Sequence, residues 1–194
     1  MPNDQNVLEV LASDHQAVFG LLDRLDVQTA GVLFGKPEPA DEGLREQLVI
    51  QCVRHFVAEE QYLWPLVRDH LAHGDTLSDA GFTSNRSIED ALKGLENPQA
   101  DAEYLSVQLA SIRRQLTDHV NEQQDQLFPH LADQVDPAEL NRLGRDVVAA
   151  AQLAPTRPRT VAPENPALNK VSSLVEGFID QVRDSVSHRG AGEL

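Results

Sequence analysis

Two eleven-residue stretches, HFVAEEQYLWP at 55–65 and HVNEQQDQLFP at 119–129, agree in His, Leu, aromatic residue and Pro, and differ at two glutamates. In the first, His55 and Glu59 stand four residues apart, so on a helix they lie one above the other and can approach one ion without distorting the backbone. In the second, His119 keeps its place and Gln123 stands where Glu59 would be. Imidazole suits iron, zinc and copper, and a carboxylate brings the negative charge that a di- or trivalent cation needs inside a low-dielectric core. Metal binding is the chemistry this pattern suggests.

The elements that must position these residues can be read from apolar spacing. Leu8, Leu11, Val18, Leu22 and Leu25 keep to a helical stripe with His15 on the same face, which predicts a first helix of about 20 residues. After the loop GVLFGKPEPADEG, a second helix carries Leu44, Leu48, Cys52, His55, Glu59, Tyr62 and Leu66 in steps of three or four, placing His55, Glu59 and Tyr62 on one face. A third helix is expected over 84–95, SNRSIEDALKGL, with Asn85 and Glu89 on its inner side and ENP as its stop. The fourth runs from about Ala102 past Leu127, its inner stripe changing from Leu105, Leu109, Ile112 and Leu116 to His119 and Gln123.

Beyond the fourth helix, Asp136 as N-cap, Pro137 at the first helical position and Glu139 in the first turn predict a short fifth helix. The Pro-rich APTRPRTVAPENP that follows is expected to be an extended linker. The tail then becomes amphipathic, with Val171, Leu174, Val175, Phe178, Ile179 and Val182 on one side.

The helices repeat. His15 is followed by Val18, Leu22 and Leu25, and Asn85 by Ile88, Leu92 and Leu95 at the same offsets; in the other pair of helices His55 falls on His119, Glu59 on Gln123 and Glu60 on Gln124. Two helix pairs, about 7–70 and 78–135, can bury their apolar stripes only against each other. The expected fold is therefore all-α, an antiparallel four-helix bundle over 1–135, with a fifth helix at 136–154 packing on it, a linker at 155–167 and an amphipathic tail at 168–194. In that bundle His15, His55 with Glu59, Asn85 with Glu89, and His119 with Gln123 meet at one level.

Residues 7–133, with AEEQYLWP as the most specific motif, resemble hemerythrin-like proteins carrying the HHE cation-binding domain. The linker and the tail with VRDSVSHRG resemble those of actinobacterial members. The resemblance implies a non-haem iron site in which the first two helices serve one iron, the last two a second, and two Glu bridge them. Carried over, one position keeps His15, His55 and Glu59, with Tyr62 a further candidate. The other keeps His119, with Glu89, Asn85 and Gln123 as weaker candidates, because Asn85 replaces a family His and Gln123 a bridging Glu, and an amide oxygen is a neutral, weak donor. One firmly held iron is expected and a second is doubtful. The chemistry implied is that of small oxidants or gases, namely O2, H2O2 or NO, with a catalase-like or other non-haem iron oxidoreductase activity if the chain is an enzyme. A metal-free or single-metal bundle serving as a regulatory or interaction module is the alternative.

Composition narrows the partners. With 31 acidic and 16 basic residues, a net charge of -15 repels phosphate backbones and anionic lipid, so neither nucleic acid nor a membrane surface is expected. No stretch approaches the roughly 20 apolar residues of a spanning helix. The N-terminus lacks a signal-peptide pattern, so a cytoplasmic location is expected. The tail stripe is expected to dock on the bundle itself or on a protein partner. Cys52 reads as a small buried apolar residue, and His70, His73, His130 and His188 as solvated side chains.

Overall fold

A computed structural model describes residues 5–35, 42–97 and 99–151. Helix α1 spans Val7–Leu33, α2 Glu42–Ala58, α3 Trp64–His70, α4 Gly74–Leu92, α5 Ala102–Asn121, α6 Phe128–Gln134 and α7 Pro137–Ala151. No strand occurs among the described residues. Pairs α1/α2, α1/α5 and α4/α5 pack along their lengths, and α4 closes the ring on α2 and α3, which makes the four-helix bundle.

Local chemistry sets the helix starts. Asn6 caps α1: its Oδ1 accepts from the N–H of Leu8 (2.9 Å) and Glu9 (3.1 Å), while Glu9 Oε2 accepts from the Asn6 N–H (2.9 Å), a reciprocal box. Asp101 caps α5 through the Tyr104 N–H (2.8 Å). Such caps are each worth about 1 kcal/mol. Asp136 Oδ1 accepts from the Ala138 N–H (2.8 Å), as its position before Pro137 predicts.

The second and fourth helices are not uniform. Each widens into a π turn, Glu59–Leu63 and Glu122–Leu127, in which the Trp64 N–H reaches back to the Glu59 carbonyl and the Phe128 N–H to that of Gln123, five residues away. The cause is Pro65 and Pro129: proline lacks an N–H and its ring crowds the carbonyl four residues back, so the ladder is stretched by one residue. The extra residue rotates everything after it relative to an unbroken helix. Tyr62, expected on the face of His55 and Glu59, lies half-buried against the apolar residues shared with α7.

Helix α4 begins ten residues before the predicted start. Its first turns carry small residues where the periodicity reading looked for large ones. Ser78 Oγ donates to the Trp64 carbonyl (2.9 Å), and a Cβ on Gly81 would overlap the Trp64 indole, so α4 lies directly on that ring. At the opposite side α7 crosses the start of α1, where a Cβ on Gly144 would strike the backbone of Gln5 and Asn6. The linker predicted at 155–167 and the amphipathic tail predicted at 168–194 lie outside the described residues.

Two apolar clusters fill the bundle. One holds Val7 and Leu11 of α1 with Trp64, Phe82, Phe128, Leu131 and the α7 residues Leu140, Leu143 and Val147. The other holds Val18 and Leu22 with Leu48, Val53, Phe56, Ile88, Ile112 and Leu116. On every long helix the gap between the two clusters falls at the polar inward residues: His15 on α1, His55 and Glu59 after Val53, Asn85 between Phe82 and Ile88, His119 and Gln123 between Leu116 and Leu127. A polar layer is thus sandwiched between two apolar ones.

Candidate metal centre

Within that layer His15, His55, Glu59 and His119 each offer one ligand atom, all within 4.8 Å of one another, and all four residues are buried. Glu59 is the hub. Its Oε1 lies 2.8 Å from His55 Nε2, 3.0 Å from His119 Nε2 and 2.7 Å from the Gln123 Nε2, which donates to it. The Gln123 and His119 Nε2 atoms are 3.2 Å apart. The rings of His15 and His55 meet edge-on at 4.6 Å between centroids.

Two further residues hold the imidazoles from outside. Asp14 Oδ2 lies 3.5 Å from His55 Nδ1, while its Oδ1 accepts from Gln51 Nε2 at 3.2 Å. Gln124 Nε2 lies 3.0 Å from His15 Nδ1. Neither was singled out from the sequence. Asp14 is the neighbour of His15, and Gln124 is the repeat partner of Glu60, so adjacency and the repeat were the available signals.

Burial and charge then set the protonation states. Burial, with the charges of His55 and His119, pushes His15 down to about 2 despite Glu59, so it is a neutral ring. Burial also disfavours the His55 imidazolium, but Glu59 and Asp14 outweigh it and raise the pKa to about 10. Burial acts to raise the Glu59 pKa, and His119 and His55 overcome it, holding the carboxyl well below its usual range. The arrangement keeps one buried anion among imidazoles.

The other candidates separate. Gln123 joins the cluster through its amide, with its Oε1 buried and unbonded. Asn85 is fully buried in the polar layer and neither of its amide atoms has a hydrogen-bond partner. Glu89 is buried one turn further along α4. Burial and Asp146 of α7 raise the Tyr62 pKa. Cys52 sits in the apolar cluster, its thiol pKa pushed up by burial. His70 lies 3.7 Å from Glu139, His73 occupies the left-handed turn before α4 (φ 60°), and His130 is exposed; His188 lies outside the described residues.

The donor set fits a cation. His15 Nε2 and Glu59 Oε2 are buried with no hydrogen-bond partner, and unsatisfied polar atoms of this kind cost about 1–3 kcal/mol each unless something accepts or coordinates them. The family model for the hemerythrin HHE cation binding domain matches residues 6–131. The chain belongs to that family. No curated protein and no solved structure matches it. The matched residues include all four members of the buried hemerythrin-domain cluster, both π turns and Asn85. Among the described residues, no helix is long and apolar enough to cross a membrane.

Proposed function

We propose that His15, His55, Glu59 and His119 hold a single iron ion and that the chain uses it in small-oxidant or gas chemistry, with peroxide, O2 or NO as the small molecule. The observation that carries this reading is the convergence of three imidazoles and one carboxylate within 4.8 Å in a layer closed by apolar residues on both sides. Such a set combines the two-His, one-carboxylate donors of non-haem iron sites with a third imidazole. Bound iron would supply one-electron redox chemistry toward such molecules. Glu59 balances part of the ion's charge, Asp14 orients His55, and the apolar clusters exclude bulk water. A second ion at Asn85, Glu89 and Gln123 is held weakly at most, since two of the three are neutral amides.

The reading shifts His119 relative to the sequence-based expectation. There it belonged with the second iron; its 3.0 Å approach to Glu59 supports a ligand of the first. Anaerobic loading with ferrous iron, desalting and elemental analysis test the proposal: about one iron per chain is expected. Two retained irons would refute the assignment of Asn85 and Gln123.

A second reading also has an observation behind it. Glu59 Oε1 already has three nitrogen neighbours within 3.0 Å, so the cluster can hold itself together as a metal-free hydrogen-bonded core of a regulatory or interaction module. Retention of no iron, zinc or manganese after loading selects that reading.

A further inference from the structure

Gln124 makes a contact that metal binding by its neighbours does not require. It follows Gln123 in the second π turn, and its Nε2 lies 3.0 Å from Nδ1 of His15, a residue of α1. Its counterpart in the internal repeat is Glu60, fully buried in the first π turn. The two differ in a way that matters to an imidazole. A carboxylate can only accept a hydrogen bond, whereas a primary amide carries an acceptor and a donor on one fork, and a half-turn about its last bond exchanges them.

A neutral imidazole has one proton for two nitrogens, and a nitrogen that ligates a cation must be the bare one. With Nδ1 engaged by Gln124, Nε2 is the nitrogen left to His15, and it is buried without a hydrogen-bond partner. While the Gln124 NH2 donates to Nδ1, the ring proton is on Nε2 and ligation is blocked. After the half-turn Oε1 accepts from Nδ1–H, and the lone pair of Nε2 is bared. Gln124 is only half-buried, so whichever amide group is turned away from His15 can be hydrated. His55 has no such choice, because the Asp14 carboxylate beside its Nδ1 can only accept.

We propose that Gln124 is a positioning residue whose amide orientation decides which nitrogen of His15 carries the proton, and so whether His15 ligates. The role in ligation rests on the metal-binding reading above; the control of the tautomer does not. On this view His55, with the Asp14 carboxylate at its Nδ1 and Glu59 at its Nε2, ligates once it loses the Nε2 proton, whereas ligation by His15 depends on the Gln124 amide. Replacing Gln124 by Glu makes the conditional ligand permanent.

The test uses the full-length chain with 15N-labelled histidine. Long-range proton–nitrogen correlation reads the His15 tautomer in wild type, Gln124→Glu and Gln124→Leu, first metal-free and then with zinc, and competition with a chromophoric chelator gives zinc affinity. Metal-free wild type is expected to show protonated Nε2 or exchange between the two forms, Gln124→Glu protonated Nδ1, and zinc-loaded wild type protonated Nδ1. Zinc affinity should rise about tenfold in Gln124→Glu and fall about tenfold in Gln124→Leu, the scale of outer-ligand effects. An identical metal-free tautomer in all three proteins overturns the proposal, as does unchanged affinity in both variants. If zinc binds none of them, the metal-binding reading fails, and the metal-free tautomers still decide what Gln124 does.

Discussion

In α1, α2 and the π turn that follows α2 the inward polar positions are His15, His55 and Glu59; at the register-equivalent positions of α4, α5 and the π turn after α5 stand Asn85, His119 and Gln123. Backbone features that need particular residues survive in both halves. Each has its π turn, the proline that causes it, and an aromatic residue before that proline, Trp64 or Phe128. What differs is charge: a carboxylate became an amide, and an imidazole became a second amide. The comparison teaches that the scaffold and the ligand set are specified separately. Pro65 and Pro129 act on the backbone ladder, while the electrostatics at Glu59 depend on which groups project into the layer.

The largest effect should come from removing the hub. Glu59→Ala is expected to abolish metal retention, exceeding the roughly 10–100-fold cost of losing an outer partner, whereas Gln123→Ala should cost about tenfold. Zinc competition measurements on both variants decide this. Equal losses would mean that the halves contribute alike.

Next in size is restoration of the second half. Asn85→His with Gln123→Glu should raise retained iron from about one to about two per chain, and each single change should do less. Disproportionation of peroxide moves two electrons per turnover, which a pair of irons shares more readily than one. Oxygen evolution from peroxide is therefore expected to be slower and shorter-lived in the iron-loaded wild type than in the double variant, with His55→Ala as control. Equal, sustained turnover in wild type and double variant, lost in the control, would remove any functional meaning from the amides.

A third expected outcome concerns pH. Ligation needs His55 unprotonated, yet Glu59 and Asp14 hold its metal-free pKa up at about 10. Below that value binding must expel a proton, so affinity should rise about tenfold per pH unit between about pH 7 and 9. The sign for folding is opposite. His55 stabilises the metal-free chain fully below its ordinary pKa of 6.5, and the contribution is lost as pH rises through about 10, so the unfolding midpoint should fall there. Calorimetry in buffers of different ionisation heat reads the proton release; none at neutral pH would contradict the pairing of His55 with Glu59.

The smallest effect is expected from the prolines. Pro65→Ala permits a regular ladder behind Glu59 and should weaken zinc binding a few-fold, while Pro129→Ala, behind the neutral Gln123, should change it less. Competition titrations compare them. A larger loss from Pro129→Ala would show that the second half positions the ion after all.

Much of this was legible in the sequence because the signal was periodic. His15, His55, Glu59 and His119 lie on apolar stripes of period 3.6, and the internal repeat puts them at one level. The face of Tyr62 was not legible from that period, since a π turn breaks it; Pro65 was the clue, read only as part of a motif. The first turns of α4 escaped because Ser78 and Gly81 pack by being small, against Trp64, and a search for bulky residues passes over them. Grouping His119 with Glu59 rather than across from it needed distances, because two positions a few ångströms apart look the same in a pattern of helical faces.

The apolar clusters on either side of the polar layer also bear on time. The residues that flank it, Leu11, Phe128, Phe56 and Leu116 among them, are buried and apolar. To the extent that an ion seated between them leaves by parting of the helices, its residence would be governed by the rate of that opening as well as by the strength of its bonds. Exchange between iron and zinc would then be slow even where equilibrium favours it. The ion present while the bundle closes would be the one the chain keeps.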